Sequence, residues 1–187
     1  MTDRILSFDE LFITQTPQYL CDNYNILTLV GKDFYAITAG EKDSFNSMVG
    51  SGGGIGILLK KAVFWCILRE DRYTLELMKK RKNFTITFFQ KEHASKMFCL
   101  AKESGRNSRK MEHISLTPIL TPNENITYAE AQLVLECKLM ALTLPQIDNF
   151  CMEEDRAYLR KAYEDEKLNR NYVYGEITNI WERKNSQ

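Results

Sequence analysis

The sequence has no long apolar segment and no excess of charge of either sign. No stretch approaches the roughly 20 apolar residues of a membrane-spanning helix, and the opening MTDRILSFDELF carries acids where a signal peptide needs an apolar run. The 25 basic residues equal the 25 acidic ones, which argues against a surface devoted to nucleic acid or an anionic membrane. We therefore expect a cytoplasmic protein with no nucleic acid or membrane partner, in which any basic site is local.

Residues that build metal centres and disulfide frameworks are also scarce. The five cysteines are widely spaced and form no C-x-x-C pair, so we expect reduced, mostly buried thiols. His93 and His113 are the only histidines, and neither has the spacing of a metal-binding pair. No Ser-His-Asp or Cys-His arrangement can be proposed. The sequence therefore predicts neither a metal site nor a catalytic side chain.

The length and the hydrophobic patterns indicate a single mainly β domain spanning residues 1–187, because domains cluster at roughly 100–200 residues. Internal repeats, low-complexity tracts and linkers are absent. Apolar runs and strict alternation predict strands. The predicted strands are residues 26–30 and 34–38, joined as a hairpin by a Gly-Lys-Asp turn, then 62–68, 84–89, 128–142 and 172–181.

Strand 62–68 is continuously apolar, which predicts burial on both faces in the centre of a sheet. Residues 128–142 consist of good helix formers, but their alternation of apolar and polar side chains favours a strand. Helices are predicted directly after the strand 62–68, with Asp71 as N-cap and Leu75 and Met78 inward, and at residues 92–102 and 153–165.

Five of the nine glycines fall within residues 50–56, in the stretch NSMVGSGGGIG. A glycine cluster is costly in backbone entropy unless the chain turns sharply or another group approaches the backbone closely. Neither G-x-G-x-x-G nor the Walker pattern fits any register, so this is not a Rossmann or P-loop signature. Two interpretations remain, a tightly turned loop and a surface against which a ligand lies.

Two further segments carry clustered cations. LREDRYT, residues 68–74, places Arg69, Arg72 and Thr74 between a strand and a helix, where free N–H groups favour an anion. SGRNSRK, residues 104–110, adds a hydroxyl and three cations. Taken singly, each segment is typical of a solvated charged surface. Together they outline a phosphate site built from two separate segments.

Six motifs in order resemble the flavin reductase-like, flavoredoxin-type family of FMN-binding proteins, from about Asn25 to Trp181. The motifs are N-S-M-x-G-S-G-G-G-I-G, R-x-x-R-Y-T, F-T-I-T-F-F, S-G-R-x-x-x-K, A-E-A-Q-L-V-L-E-C and Y-x-G-E-I. The resemblance implies an FMN-binding split β-barrel that forms a homodimer with the flavin near the subunit interface.

The resemblance also implies which residues bind FMN. The isoalloxazine ring would be lined by Asn46, Ser47, Met48, Val49, Gly50 and Ser51. The ribityl and phosphate groups would be held by Arg69, Arg72, Tyr73, Thr74, Ser104, Gly105, Arg106 and Lys110. Family members commonly carry Thr at the position of Val49 and a bulky aromatic residue at that of Gly52.

The function implied is that of an FMN-dependent oxidoreductase, which moves electrons between NADH or NADPH and flavin or a redox partner protein. Such hydride transfer is carried by the two cofactors, so no acid–base side chain is required. Two alternatives remain open. One is a flavin-binding carrier or sensor that does not turn over a nicotinamide, and the other is a structural domain without a ligand.

Overall fold

The computed structural model describes residues 6–32, 34–101, 104–106, 110–112, 114–166 and 169–184. The strands are β1 (Phe12–Gln15), β2 (Tyr35–Glu41), β3 (Ser44–Gly50), β4 (Gly54–Leu58), β5 (Lys61–Arg69), β6 (Asn83–Phe89), β7 (Pro118–Leu120), β8 (Ile126–Tyr128), β9 (Ala131–Thr143) and β10 (Arg170–Arg183). The helices are α1 (Phe8–Leu11), α2 (Pro17–Asn23), α3 (Ile26–Gly31), α4 (Tyr73–Arg81), α5 (Ala94–Met97) and α6 (Glu153–Glu166).

The main sheet is antiparallel and follows the order β3-β2-β6-β9-β10-β5-β4, with β1 added beside β10. Strands β3 and β4 are consecutive in the chain yet lie at opposite ends of this order. Residues 51–53 connect them, and four Cα–Cα steps of 3.80 Å span at most about 15 Å. The two ends of the sheet must therefore be close in space, and the sheet rolls into a barrel that no β3–β4 hydrogen-bonded pairing closes.

The core fills the inside of this rolled sheet. Phe84, Ile86 and Phe88 alternate along β6 and are at most 3% exposed, as their spacing predicted. The intervening Thr85 and Thr87 are buried as well, because the small β7–β8 sheet covers the other face. Thr85 donates to the carbonyl of Ile126 at 2.5 Å. Strand β6 is thus buried on both faces because the barrel core covers one face and the β7–β8 sheet covers the other.

Most of the predicted strands are confirmed. Strand β2 covers the prediction at 34–38, β5 that at 62–68, β6 that at 84–89 and β10 that at 172–181. Residues 128–142 form the end of β8 and most of β9, so the alternation outweighs the helix propensity. The central, doubly covered position predicted for 62–68 is wrong, because β5 is next to the end of the sheet and Ile67 is 36% exposed.

The predicted hairpin of residues 26–30 and 34–38 is wrong in its first half. Residues 26–30 belong to α3, where the Asn25 side chain accepts from the Thr28 backbone N–H at 3.0 Å and caps the helix. Leu29 and Val30 are buried. Asp33, in the predicted turn, lies outside the described residues.

Helix predictions have mixed outcomes. Helices α4 and α6 are confirmed, and Leu75 and Met78 are buried as expected. The N-cap of α4 is Arg72, without a side-chain cap, while the carboxylate of Asp71 accepts from Arg69 instead. Residues 92–102 form no continuous helix: 3₁₀ turns at Lys91–His93 and Phe98–Ala101 flank the four-residue α5. Lys102 lies outside the described residues.

The cysteines are less buried than the composition suggested. Cys66 and Cys137 are buried, Cys99 is half-buried, and Cys21 and Cys151 are exposed. Burial raises the pKa of the Cys66 thiol to about 12, so this group stays protonated at neutral pH. Within the described ranges no helix is long and apolar enough to cross a membrane.

Candidate functional site

A cavity of about 190 Å³ lies where β3, the start of α4, the end of the 3₁₀ turn at Leu100 and Ala101, and the later residues Ser104, Gly105 and Lys110 meet. It brings together ten of the fourteen residues predicted to bind FMN. These ten are Asn46, Met48, Val49, Arg69, Arg72, Tyr73, Thr74, Ser104, Gly105 and Lys110. We call this space the first cavity. Its three contributing segments are far apart in the sequence, and the barrel places them side by side.

Asn46 lies at the junction of all three segments and is only 3% exposed. Its amide nitrogen donates to the hydroxyl of Thr74 at 2.7 Å. Its carbonyl oxygen is buried and has no hydrogen-bond partner among the described residues. A Cβ atom on Gly105 would lie 1.9 Å from this oxygen, so only glycine allows the close approach. An unsatisfied buried carbonyl is costly, which makes Asn46 Oδ1 a site for a ligand's donor group.

The entrance to α4 supplies the positive charge of the first cavity. Arg69 donates twice to Asp71, at 2.9 and 3.2 Å. Arg72 makes no ion pair with any described residue, and its side chain does not cap the helix. The first N–H groups of α4 therefore lack a side-chain acceptor beside a cation. This is the environment that an anionic group requires.

Lys110 has a different environment, although the sequence grouped it with the other cations. It is 7% exposed, and its ammonium donates to the carbonyls of Ser47 at 2.7 Å and Leu100 at 2.5 Å. These bonds connect β3 to the 3₁₀ turn Phe98–Ala101. Lys110 thus lines the first cavity and also holds two of its walls together.

Four predicted residues do not line the first cavity. Ser47 is buried, and its hydroxyl bonds to those of Thr38 and Tyr128. Gly50 packs on the ring of Tyr35. Ser51 lines a neighbouring cavity, and Arg106 pairs with Glu76 at 2.6 Å while its guanidinium lies 5.3 Å from the centre of the Tyr73 ring.

The glycine cluster has packing reasons at some positions and not at others. Gly53 has φ +128°, and a Cβ there would lie 2.1 Å from the backbone oxygen of Trp65. Gly52 is fixed differently: its N–H donates to Val30 O at 3.1 Å, and its carbonyl accepts from the hydroxyl of Tyr35 at 2.6 Å. Nothing lies within 4 Å of where a Cβ of Gly52 would be. The tight-turn interpretation therefore explains Gly53 and, because its φ is +75°, Gly52 as well, although the space beside Gly52 is open.

Sequence reasoning missed some residues that line the first cavity, namely Asp71, Leu100 and Ala101. Asp71 had a visible signal, since it lies between the two arginines of the R-x-x-R-Y-T motif and was assigned instead to capping. Leu100 lies in the segment predicted as the helix 92–102, and it is only 1% exposed. Across the described ranges no cluster of three or more His, Cys, Asp or Glu side chains could hold a metal.

No family model matches the sequence, and no curated protein matches it. Solved structures do match. The FMN-binding domain of a flavin reductases-like enzyme from Shewanella baltica superposes with a TM-score of 0.63 at 12% identity, covering 91% of this chain and 76% of that one. Flavoredoxin from Methanosarcina acetivorans gives 0.60 at 14% identity, covering 80% and 68%.

Flavoredoxin of Desulfovibrio vulgaris gives a TM-score of 0.59 at 17% identity, covering 90% of this chain and 75% of that one. A flavin reductase with a split barrel domain from Shewanella frigidimarina also matches, with a TM-score of 0.59 at 15% identity. At these identities the likeness establishes the fold. The chain therefore has the split-barrel fold of the flavin reductase-like, FMN-binding proteins that its sequence motifs resemble.

Proposed function

We propose that this protein binds FMN and moves electrons between NADH or NADPH and flavin or a redox partner protein. The observation that carries the proposal is the first cavity, where three distant motif segments meet around Asn46, whose buried Oδ1 lacks a partner within the described part of the chain. Flavin reductases, an NADH:FAD oxidoreductase and a nitroreductase share the fold, which supports a flavin-dependent redox role.

The residues fit the phosphate end of FMN. Arg72 and the start of α4 offer a cation and free backbone donors, and the hydroxyls of Thr74 and Ser104 line the same space. Lys110 adds positive charge to the same cavity, whereas the charge of Arg69 is paired with that of Asp71. We assign this end of the first cavity to the phosphate and ribityl groups, with Tyr73, Gly105 and Arg106 completing its wall and rim.

The ring end of the flavin is assigned to β3 and the segment that follows it. Strand β3 is at the end of the sheet order, so the N–H and C=O groups on its outer edge have no neighbouring strand in the described part of the chain. Met48 and Val49 line the first cavity, while Ser47, Gly50 and Ser51 would contribute mainly through their backbone. The open space beside Gly52 leaves room for a second planar ring.

A homodimer completes this proposal. Pockets that enclose ligands of drug size measure roughly 300–1,000 Å³, whereas the first cavity measures about 190 Å³. One chain therefore encloses part of FMN, and we assign the remaining cover to a second copy. Ile57 and Leu59, each 76% exposed at the end of β4, are apolar surface that such contact would bury.

FMN supplies the redox chemistry when bound, since it exchanges hydride equivalents with a nicotinamide. The side chains of this protein would bind and orient it. Arg72 and α4 would anchor the phosphate, Asn46 would accept a hydrogen bond, and the edge of β3 would fix the ring plane. Positioning and electrostatics are then the protein's contribution to the reaction, and no side chain has to carry a proton.

Titration of the apo-protein with FMN tests the proposal, and we expect saturable binding of about one FMN per chain. Anaerobic addition of NADH and NADPH to the complex should then bleach the flavin absorbance. Saturable binding without bleaching by either nucleotide would identify an electron carrier or sensor. Failure to bind FMN would leave a structural domain and would refute the proposal. A cytoplasmic location and a single domain stay predictions.

A further inference from the structure

A second and larger cavity, of about 560 Å³, lies between the N-terminal helices and the sheet. It shares no lining residue with the first cavity. Its walls come from the α2–α3 junction, the residue before β2, the end of β6 with the turn after it, and the start of β9. Its volume lies within the range of small-molecule sites, roughly 300–1,000 Å³.

Three aromatic rings line the accessible part of the second cavity. Tyr24 and Phe89 are half-buried, and Phe34 is 42% exposed. Behind them, Phe88 and Leu133 form a buried apolar floor. The hydroxyl of Tyr24 donates to Glu182 Oε1 at 2.6 Å, which fixes the orientation of its ring. Partly exposed aromatic rings around an apolar floor favour a planar aromatic ligand.

The rim of the second cavity is positively charged. Lys32 and Lys91 both line it and are exposed, and neither forms an ion pair with any described residue. Glu92 is the acidic side chain among the described lining residues, so the charges of those residues sum to a net positive value. Gln90 and Gln132 add amide groups. A carboxylate is the ligand group that two lysines beside amide donors would bind.

We propose that the second cavity binds a planar aromatic carboxylate, with the ring among Tyr24, Phe34 and Phe89 and the carboxylate between Lys32 and Lys91. Aromatic walls without the lysines would accept any apolar ring, and the lysines without the walls would be ordinary surface charges. A cavity that has both should select ligands that carry an aromatic ring and a carboxylate. This site stands apart from the flavin proposal, because it uses none of the same residues.

The test uses 4-fluorobenzoate as the probe, followed by ¹⁹F NMR during titration of the full chain. We expect saturable binding, unchanged when saturating FMN is present. The neutral analogue 4-fluorobenzyl alcohol, titrated directly, and the aliphatic pivalate, measured by its displacement of 4-fluorobenzoate, should each bind at least tenfold more weakly. Absence of saturable binding, displacement by FMN, or equal binding of either analogue would overturn the proposal.

Matched variants separate the two halves of the site. The double variant Lys32→Gln/Lys91→Gln should weaken 4-fluorobenzoate at least tenfold, whereas Lys80→Gln, an exposed lysine outside the cavity, should leave it unchanged. Phe34→Ala should weaken it several-fold, while Leu27→Ala, 85% exposed and outside the cavity, should not. Binding that survives both cavity variants, or falls equally in the control variants, would refute the assignment.

Discussion

At the scale of single residues, Lys110 and Arg72 were both predicted to hold the phosphate, but they should differ in how much they stabilise the fold. Lys110→Ala would leave the buried carbonyls of Ser47 and Leu100 without their donor. We expect its free energy of unfolding to fall by about 1–3 kcal/mol, the usual cost of buried unpaired groups. Arg72→Ala should change it by about 0.5 kcal/mol or less. Urea denaturation of the two variants measures the difference, and equal stabilities would contradict it.

Arg72 should matter for the ligand. If it holds the phosphate, Arg72→Ala weakens FMN about tenfold or more, because a charge-assisted hydrogen bond contributes roughly 1.5–3 kcal/mol. Riboflavin lacks the phosphate and should be affected little. Fluorescence titrations with both flavins measure this, with Lys80→Ala as the matched control. Equal losses for FMN and riboflavin would place Arg72 away from the phosphate.

At the scale of elements, the glycine-rich stretch that runs from the end of β3 into β4 is fixed by packing at Gly53 and has open space at Gly56. Gly53→Ala would put a methyl group against the Trp65 carbonyl at a φ that non-glycine residues rarely adopt. We expect a loss of at least about 2 kcal/mol, since such backbone strain alone costs roughly 1–3 kcal/mol. Gly56→Ala, with nothing within 4 Å, should leave stability nearly unchanged. If urea denaturation gives both variants the same stability, the backbone around residue 53 must shift to accommodate the added methyl group.

The strands were predictable because their patterns are long, whereas α3 was not. Alternation over β6 and β9 identifies one face through many residues, and tertiary packing reinforces it. Residues 26–30 form a short apolar run, which a strand and a buried helix share. Asn25 before the run was the signal of a helix start, as was the Ser7 to Glu10 capping box before α1. Capping residues therefore carried information that the apolar pattern alone did not.

At the scale of the whole molecule, the first cavity depends on contacts that no local pattern encodes. Asn46 meets Thr74 and Gly105 only because β3 rolls against α4 and the turn after α5. The motifs predicted which segments of the chain form the first cavity, and the structure brings most of the predicted residues together there. They could not predict that Lys110 would bond to backbone carbonyls, or that Ser47 would turn inward toward Tyr128. The second cavity has no motif, since its walls come from separate elements.

Two buried tyrosines make the stability of the whole fold sensitive to high pH. Tyr35 and Tyr128 are both 0% exposed, and burial is the largest cause that raises the pKa of each phenol above its ordinary 10.0. Below pH 10 the phenols are protonated in the folded and the unfolded chain, so their full contribution to stability is present. Above it the unfolded chain releases protons that the folded chain keeps, and the free energy of unfolding falls as pH rises.

Tyr128→Phe isolates one of these contributions. Well above pH 10, each buried tyrosine should cost about 1.4 kcal/mol of unfolding free energy per pH unit, so the wild-type curve should fall more steeply than the Tyr128→Phe curve by about that amount. Tyr158→Phe is the matched control, because Tyr158 is 72% exposed and should leave the slope as it is. Urea denaturation at pH 9, 10, 11 and 11.5 gives the three slopes. Parallel curves for the wild type and Tyr128→Phe would mean that the Tyr128 phenol ionises in the folded protein as readily as in the unfolded chain, and that the layer between β8 and the main sheet admits water.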